Sequence, residues 1–402
     1  MDVERYVVLL EDAAVSSAPN LLWRAAGVRS AFPAELDATA LAPNEASLLP
    51  ALGVAIARCD PDQASALSRC GGPVRLVQAE RRFRALVHAD ESNPGVAAAW
   101  QASAAATVAP HWSLPLADTF FATWGLQAVG ALASRYSGHG VALAVLDTGL
   151  DFTHPDFAGR GVMRHSFVAG LPPDDETGHG TFCAGVACGP LQPHNAPRYG
   201  VAPDADLFVA RVLDAHAGGS DADVLAGIDW AVRHRCAVIS MSFGNPVAVG
   251  DSYPQLYEAV AARALAAGSL LIAPAGNQSQ RPDNIAPVEH PANCPSIVVV
   301  GAVDHELCVA PFSNGGLNPD GGGVSLVAPG LGIFSAAPRP DLYQTASGTS
   351  MATPFVAGVA ALFAQADPLA RGAALRARLL AACLPLPDPA RDIGAGLVQA
   401  PQ

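Results

Sequence analysis

The chain has 402 residues, half of them hydrophobic and 15% charged, enough apolar side chain for one large core or two unequal ones, which excludes an intrinsically disordered tail. The net charge of −13, with all 23 basic residues Arg, sets aside nucleic acid and an anionic membrane surface as partners. Eight cysteines in a chain of this length, with no CxxC pair at zinc-ligand spacing, predict reduced, mostly buried thiols and not a disulfide scaffold. The opening "MDVERYVVLLEDAAVSS" places Asp2, Glu4 and Arg5 ahead of an apolar run too short for a signal-peptide core. With no apolar stretch read as long enough to span a bilayer, a cytoplasmic protein with no membrane partner is expected.

In chain order, residues 1–86 hold the strand-like runs "RYVVLL" and "GVAIA", the helical "PDQASALSR" and the alternating "VRLVQAERRFRAL", which together predict a small α+β domain. Residues 87–122 are rich in Ala, Pro and Ser, lack a period and contain no Arg, as expected of a linker. From 123 to 402 the apolar runs "VALAVLD", "DLFVARVLD", "AVISMSFG", "SLLIAPAG", "SIVVVGAVD" and "VSLVAPG" alternate with helical segments such as "DADVLAGIDWAVRHR" and "YPQLYEAVAARALAAG". That alternation predicts an α/β fold with a mostly parallel central sheet covered by helices on both faces. In such sheets functional groups collect beyond the carboxyl ends of the strands.

Four polar residues close or follow these runs: Asp147, His179, Asn277 and Ser350. Each taken alone is also an ordinary turn or helix-cap residue. Together they supply a hydroxyl nucleophile, an imidazole base, a carboxylate to orient it and a side-chain amide for an oxyanion. Ser350, in "SGTSMATPFVAGVAALFA", stands at the start of an apolar helical run, where cap and nucleophile are alternative readings.

The segments "VLDTGLDFTHPDF", "GHGTFCAG" and "SGTSMATPFVAG" resemble, in order and approximate spacing, the three signature segments of the subtilisin-like serine proteases (subtilases), with features of both the subtilisin and proteinase K branches. "GVAPDADLFVARVLD", "ISMSFG", "PAGN", "HPANCPSIVVVGAVD" and "GAGLVQA" extend the resemblance over 123–402, and residues 1–86 resemble, more weakly, an inhibitory propeptide. The resemblance implies peptide hydrolysis by attack of Ser350, with His179 as base, Asp147 orienting it, and Asn277 with the Ser350 N–H holding the oxyanion. It implies a polypeptide substrate paired as a strand between Ala217, Gly218 and Gly219 on one side and Ser242, Phe243 and Gly244 on the other, beside a pocket wall at Ala275 and Gly276. It also implies a zymogen whose N-terminal domain is an intramolecular inhibitor removed by a cut in the linker. The alternative is a catalytically silent relative serving as a binding or scaffolding protein, against which the four intact residues count. An esterase is disfavoured, because "GTSMA" is not the G-x-S-x-G elbow.

Several positions, set against the family pattern, bear on function. Phe182 replaces the usual His after the catalytic segment's Thr, Cys183 matches a thiol of the proteinase K branch, and Pro274 stands where a small residue is common. Glu289, in "PVEHPANC", falls near the floor of the pocket for the residue preceding the cut, where a buried carboxylate favours Arg or Lys; a solvated surface Glu is the other reading. Against a strictly basic preference, no Arg lies between Arg84 and Arg135, so a linker cut after Leu114, Leu116 or Phe121 requires an apolar pocket. No cofactor is required by this chemistry. Calcium is common in the family, but Ser325 replaces its anchoring carboxylate, leaving only "NGGLNPDGGG" (Asn318, Asp320) and "GGSDAD" as donors.

Overall fold

The computed structural model describes residues 3–31, 41–86 and 116–402. Most of the expected linker, 87–115 with Leu114, lies outside the described residues.

In the N-terminal part, β1 (Glu4–Leu10), β2 (Arg29–Ala31), β3 (Glu45–Leu49), β4 (Val54–Cys59) and β5 (Val74–Ala79) form one sheet in the order β2-β3-β4-β1-β5. The pairs are antiparallel apart from the parallel β2–β3 pair. Side chains alternate across a strand, and here the alternation divides the sheet between two cores. Val8, Leu10, Leu48, Ala55 and Ala57 face a small core closed by Leu22 and Leu67 of the helices Ala18–Ala26 and Pro61–Ser68. Val7, Leu9, Leu49, Val54 and Ile56 join the large core of the rest of the molecule. A sheet apolar on both faces needs a partner on its second face, and the remainder of the chain supplies it.

The alternating "VRLVQAERRFRAL" reads as one strand but forms two. β5 stays in the N-terminal sheet, and β6 (Arg82–Ala85) leaves it to pair with segments of the large domain. There the strands β7 (Ala142–Asp147), β8 (Met163–Ser166), β9 (Asp206–Arg211), β10 (Gly218–Ser220), β11 (Val238–Met241), β12 (Phe243–Gly244), β13 (Leu270–Pro274), β14 (Val298–Val303) and β15 (Leu326–Pro329) follow. Seven of them make a sheet in the order β15-β14-β13-β11-β7-β9-β8, parallel at every pairing. Every residue of β11, β13, β14 and β15 is buried, so both faces of the sheet are covered. The helix Thr349–Ala366 packs against β11, β13, β14 and β15 and against the helix His179–Cys188. Contrary to the expectation that no segment matches a bilayer, Thr349–Ala366 is long and apolar enough to cross one; 83% of it is buried in the protein, which makes it a core helix.

The N-terminal sheet is fastened to the large domain by polar contacts of the half-buried Arg263 and the buried Asp229. Arg263, on the helix Gln255–Ala266, donates to the carbonyls of Leu52 and Leu10 at 2.6 Å each and pairs with Asp12 at 2.6 Å. Asp229, on the helix Asp221–Arg233, accepts the Ala51 N–H at 2.9 Å and holds Arg233 at 2.7 Å. Charge-assisted bonds of this kind contribute about 1.5–3 kcal/mol each. Arg263→Ala should therefore weaken the docking of the N-terminal sheet by about 2 kcal/mol. In a urea titration followed by limited proteolysis, its N-terminal part should be lost at lower urea than in wild type, with the midpoint of the large domain unchanged.

Candidate active site

β7 ends in Asp147, which is fully buried and whose Oδ1 accepts the Thr148 N–H and the His179 Nδ1–H, both at 2.7 Å. Because a carboxylate only accepts, the bond places the imidazole proton on Nδ1 and leaves Nε2 as the basic nitrogen. Nε2 is buried and has no hydrogen-bond partner among the described residues. Burial pulls the His179 pKa down, but the Asp147 charge outweighs it and holds the imidazole well above its ordinary value.

His179 opens the helix His179–Cys188, and two features fix where that helix starts. Gly180 permits the close approach: a Cβ there would lie 2.9 Å from the Gly149 nitrogen and 3.1 Å from Thr148 Oγ1. Asp175 gathers the loop, its Oδ1 accepting from Thr148 Oγ1 at 2.9 Å and the Gly178 N–H at 2.9 Å, and its Oδ2 from Thr181 N–H at 2.8 Å and Thr181 Oγ1 at 2.7 Å. Burial alone would raise the Asp175 pKa, yet these donors hold it below its ordinary value. Thr148 Oγ1 in turn accepts the Gly180 N–H at 2.8 Å. Asp175 and Thr148 are missing from the sequence reading; "DDETGHGT" gave no sign that one of its three carboxylates is buried.

Ser350 lies in the first turn of the core helix and is fully buried. Its Oγ donates to the Ser242 carbonyl at 3.0 Å, and Ser242 Oγ donates back to the Ser350 carbonyl at 3.1 Å. Cys183 sits beneath, its Sγ 3.8 Å from the Ser350 carbonyl and 4.0 Å from His179 Nδ1; burial pushes its thiol up, so it behaves as a small buried side chain. Phe182 is fully buried and its carbonyl accepts from Ser335 Oγ at 2.8 Å.

Asn277 follows β13. Its Oδ1 accepts from the Thr349 N–H at 2.9 Å and from Thr349 Oγ1 at 2.8 Å, which turns its Nδ2 outward to donate to the Leu86 carbonyl at 3.0 Å. Thr349 is a third residue to which the sequence reading assigned no role.

Leu86 follows β6, which is clamped antiparallel between β10 and β12. Gly218 and Gly219 pair with Arg84 and Phe83, the Ala85 N–H donates to the Ala217 carbonyl at 2.9 Å, and the Leu86 N–H reaches the Ser242 carbonyl at 3.4 Å. Phe243 and Gly244 face Ala85 and Arg84 from the other side. Phe83 is buried with its ring 5.4 Å from Tyr257, edge-on, and 5.8 Å from Phe243. Behind it, the Arg81 N–H bonds Asp221 Oδ2 at 2.8 Å and Glu80 Oε1 accepts the Ala222 N–H at 3.2 Å at the start of the helix Asp221–Arg233. A segment of this chain thus occupies both strand edges at once.

Glu289 is not a surface residue; it is 1% exposed beside Gly276 and Gly244, with Leu86, not an arginine, next to it. Its N–H donates to the Ala275 carbonyl at 3.0 Å. The calcium donors suggested by the sequence are engaged elsewhere. Asn318 bonds both backbone groups of Val288 at 3.0 Å, Asp320 holds Ser252, and Asp221 and Asp223 hold Tyr257 and Ser220. Among the described residues these side chains do not converge as a group of three that could hold a metal. Among the described residues one group of three His, Cys, Asp or Glu side chains converges closely enough to hold a metal, namely Asp147, His179 and Cys183, and it is the site just described.

The model of the "Subtilase family" matches residues 138–396. The chain is 36% identical over 240 residues to the "Intracellular serine protease" of Paenibacillus polymyxa, covering 58% of this chain and 70% of that protein. It is 36% identical over 254 residues to "Subtilisin E" of Bacillus subtilis (strain 168), 63% of each, and 36% identical over 235 residues to "Subtilisin-like protease 3" of Pseudogymnoascus destructans, 56% of this chain and 53% of that one. The matched region spans between about half and seven tenths of the length of these relatives. A parallel α/β sheet carrying an Asp–His pair and a buried serine at a helix start, and matched over most of its large domain, shows that the chain belongs to the subtilase family of serine endopeptidases.

Proposed function

We propose that this chain is a self-processing zymogen in which Asp147, His179 and Ser350 form the catalytic triad, Asn277 and the Ser350 N–H hold the oxyanion, and Leu86–Val87 is the first bond cut. The observation that carries this reading is the Leu86 carbonyl, 3.0 Å from Asn277 Nδ2 at the end of a strand clamped on both sides. A carbonyl positioned on a fixed amide donor is where negative charge develops when a nucleophile adds to it.

In the resting state the Ser350 hydroxyl is bonded to the Ser242 carbonyl. Rotation about its Cα–Cβ bond brings Oγ to His179 Nε2, which takes the proton as Oγ attacks the Leu86 carbonyl carbon. The tetrahedral oxyanion is held by Asn277 Nδ2 and the Ser350 N–H, with the N-terminal end of the core helix adding a favourable dipole. Imidazolium His179, stabilised by Asp147, then protonates the leaving nitrogen of Val87. Water enters against the acyl group with His179 again as base, and Ser350 is regenerated.

The cleaved N-terminal part stays in place as inhibitor, because Phe83, Arg81 and Glu80 and the Arg263 contacts do not depend on the 86–87 bond. Substrates bind as β6 does, with Ala217, Gly218 and Gly219 and Ser242, Phe243 and Gly244 supplying the backbone pairing and Gly276, Ala275 and Glu289 the pocket for the side chain before the cut. We also propose a cytoplasmic setting, supported by eight free cysteines and by the relative named as intracellular.

Purified wild type should split into two fragments that co-elute, and Ser350→Ala should remain one species of 41.0 kDa that does not react with a fluorophosphonate. Splitting of a Ser350→Ala preparation at the same rate as wild type would overturn the triad. Since the base must be neutral and Asp147 favours the imidazolium, splitting should slow as pH falls through the raised His179 value, which a time course over pH reads directly. Thr349→Val removes the hydroxyl that aims Asn277 and accepts the buried Gly276 N–H, and should lower kcat about 10- to 100-fold with KM nearly unchanged and a loss of stability of about 1–3 kcal/mol. A loss of stability with kcat unchanged would make Thr349 merely structural.

A further inference from the structure

The pocket beside Leu86 contains a charge problem that the hydrolytic mechanism does not use. A Cβ on Gly244 would lie 2.7 Å from Glu289 Oε2 and 3.1 Å from Leu86 Cδ1, so the carboxyl and the leucine side chain close on the same point. A Cβ on Gly276 would lie 2.8 Å from Glu289 Cγ and 2.9 Å from its Cδ, so this glycine makes the room in which the carboxyl sits. Glu289 is 1% exposed, and neither of its carboxyl oxygens makes a hydrogen bond among the described residues.

Among the described residues no Arg or His forms an ion pair with it, and burial and Gln278 are the influences on its carboxyl. The side chains facing it are Gln278, Asn314 and Leu86. The Asn314 amide is committed to Gln278 Oε1 and the Pro287 carbonyl, both at 3.0 Å, and Gln278 Oε1 also accepts the Asn277 N–H at 3.0 Å. The adjacent His290 turns its Nδ1 to Asn293 Oδ1 at 2.9 Å and is held below its ordinary value first by burial, with Arg81 adding to the effect and Asp251 opposing it. Burial pushes Glu289 up to about 8, and an approach of the Gln278 amide pulls it back only in part. An ionised carboxylate against a leucine methyl is costly, whereas a protonated one is tolerated.

We propose that Glu289 makes the pocket a proton-switched selector, which accepts leucine when the carboxyl is protonated and the ammonium or guanidinium of lysine or arginine when it is ionised. The inference rests on the protease reading above and adds a substrate rule to it. It reconciles a buried carboxyl, of the kind that suits a basic side chain, with the leucine that the chain itself places there. The sign follows from the raised pKa. The leucine-bound state holds one more proton than the lysine-bound state, so preference for leucine is complete at low pH and is lost as pH rises through about 8. One proton of difference changes the ratio by about tenfold per pH unit at most.

The test uses the processed enzyme and two p-nitroanilides that copy residues 83–86, Phe-Arg-Ala-Leu and Phe-Arg-Ala-Lys, with kcat/KM measured from pH 6 to 9 and active sites counted by fluorophosphonate. The ratio of the two constants cancels His179, which serves both. It should fall by about 30-fold or more, in favour of lysine, across that range. Glu289→Gln should make the ratio independent of pH and keep it in favour of leucine; Glu289→Leu serves if the first variant does not fold. A flat ratio in wild type, or a slope that persists in the variant, overturns the proposal while leaving the protease reading intact. No turnover of either peptide by enzyme whose accessible Ser350 the fluorophosphonate has counted overturns the protease reading itself.

Discussion

The 2.7 Å bond between Asp147 and His179 is the contact on which the site depends, and it is made by residues that the chain must bring together from a strand end and a helix start. The strand delivers Asp147 because its apolar run is buried on both faces and the first polar position falls beyond the carboxyl edge. The helix can approach that edge only because Gly180 has no side chain, and it stays there because Asp175 gathers the Thr148 and Thr181 hydroxyls and the backbone between them. A side chain at 180 or a missing carboxylate at 175 would separate His179 from Asp147 without touching either.

The same economy governs Ser350 and Asn277, the proposed nucleophile and oxyanion donor. Ser350 and Thr349 are consecutive residues of one buried helix, so the segment that fixes the hydroxyl also fixes, through Thr349 Oγ1, the amide of Asn277. A helix that resembles a membrane span by length and composition serves here as an anchor: its apolar mass is the reason its first turn does not move. Ser350 is not the cap: Gly348 holds that position, and Ser350, the second residue of the helix, donates its hydroxyl to the Ser242 carbonyl.

Much of this was legible in the sequence. Asp147, His179, Asn277 and Ser350 stood out as four unlike groups suited to acyl transfer, standing in the order of the family's signature segments, and the near-continuous apolar runs announced a parallel sheet. The rest depended on contacts that no local pattern encodes. "VRLVQAERRFRAL" has one alternating period but serves two sheets, because β5 and β6 find partners far away in the sequence. The linker therefore looked like the place for a cut, whereas the carbonyl on Asn277 belongs to Leu86, at the end of the N-terminal part. Glu289 could be read as surface or pocket until the folded backbone buried it, and Asp175 and Thr349 act through hydrogen bonds that residue type alone does not announce.

N-terminal sequencing of the large fragment formed by the purified wild-type chain at its first cut tests the central claim most directly, because the pairing of β6 and the contact of Asn277 with the Leu86 carbonyl together single out one bond. The account predicts that the fragment begins at Val87. A start following Arg81, Arg82 or Arg84, or following Leu116 or Phe121, would contradict it.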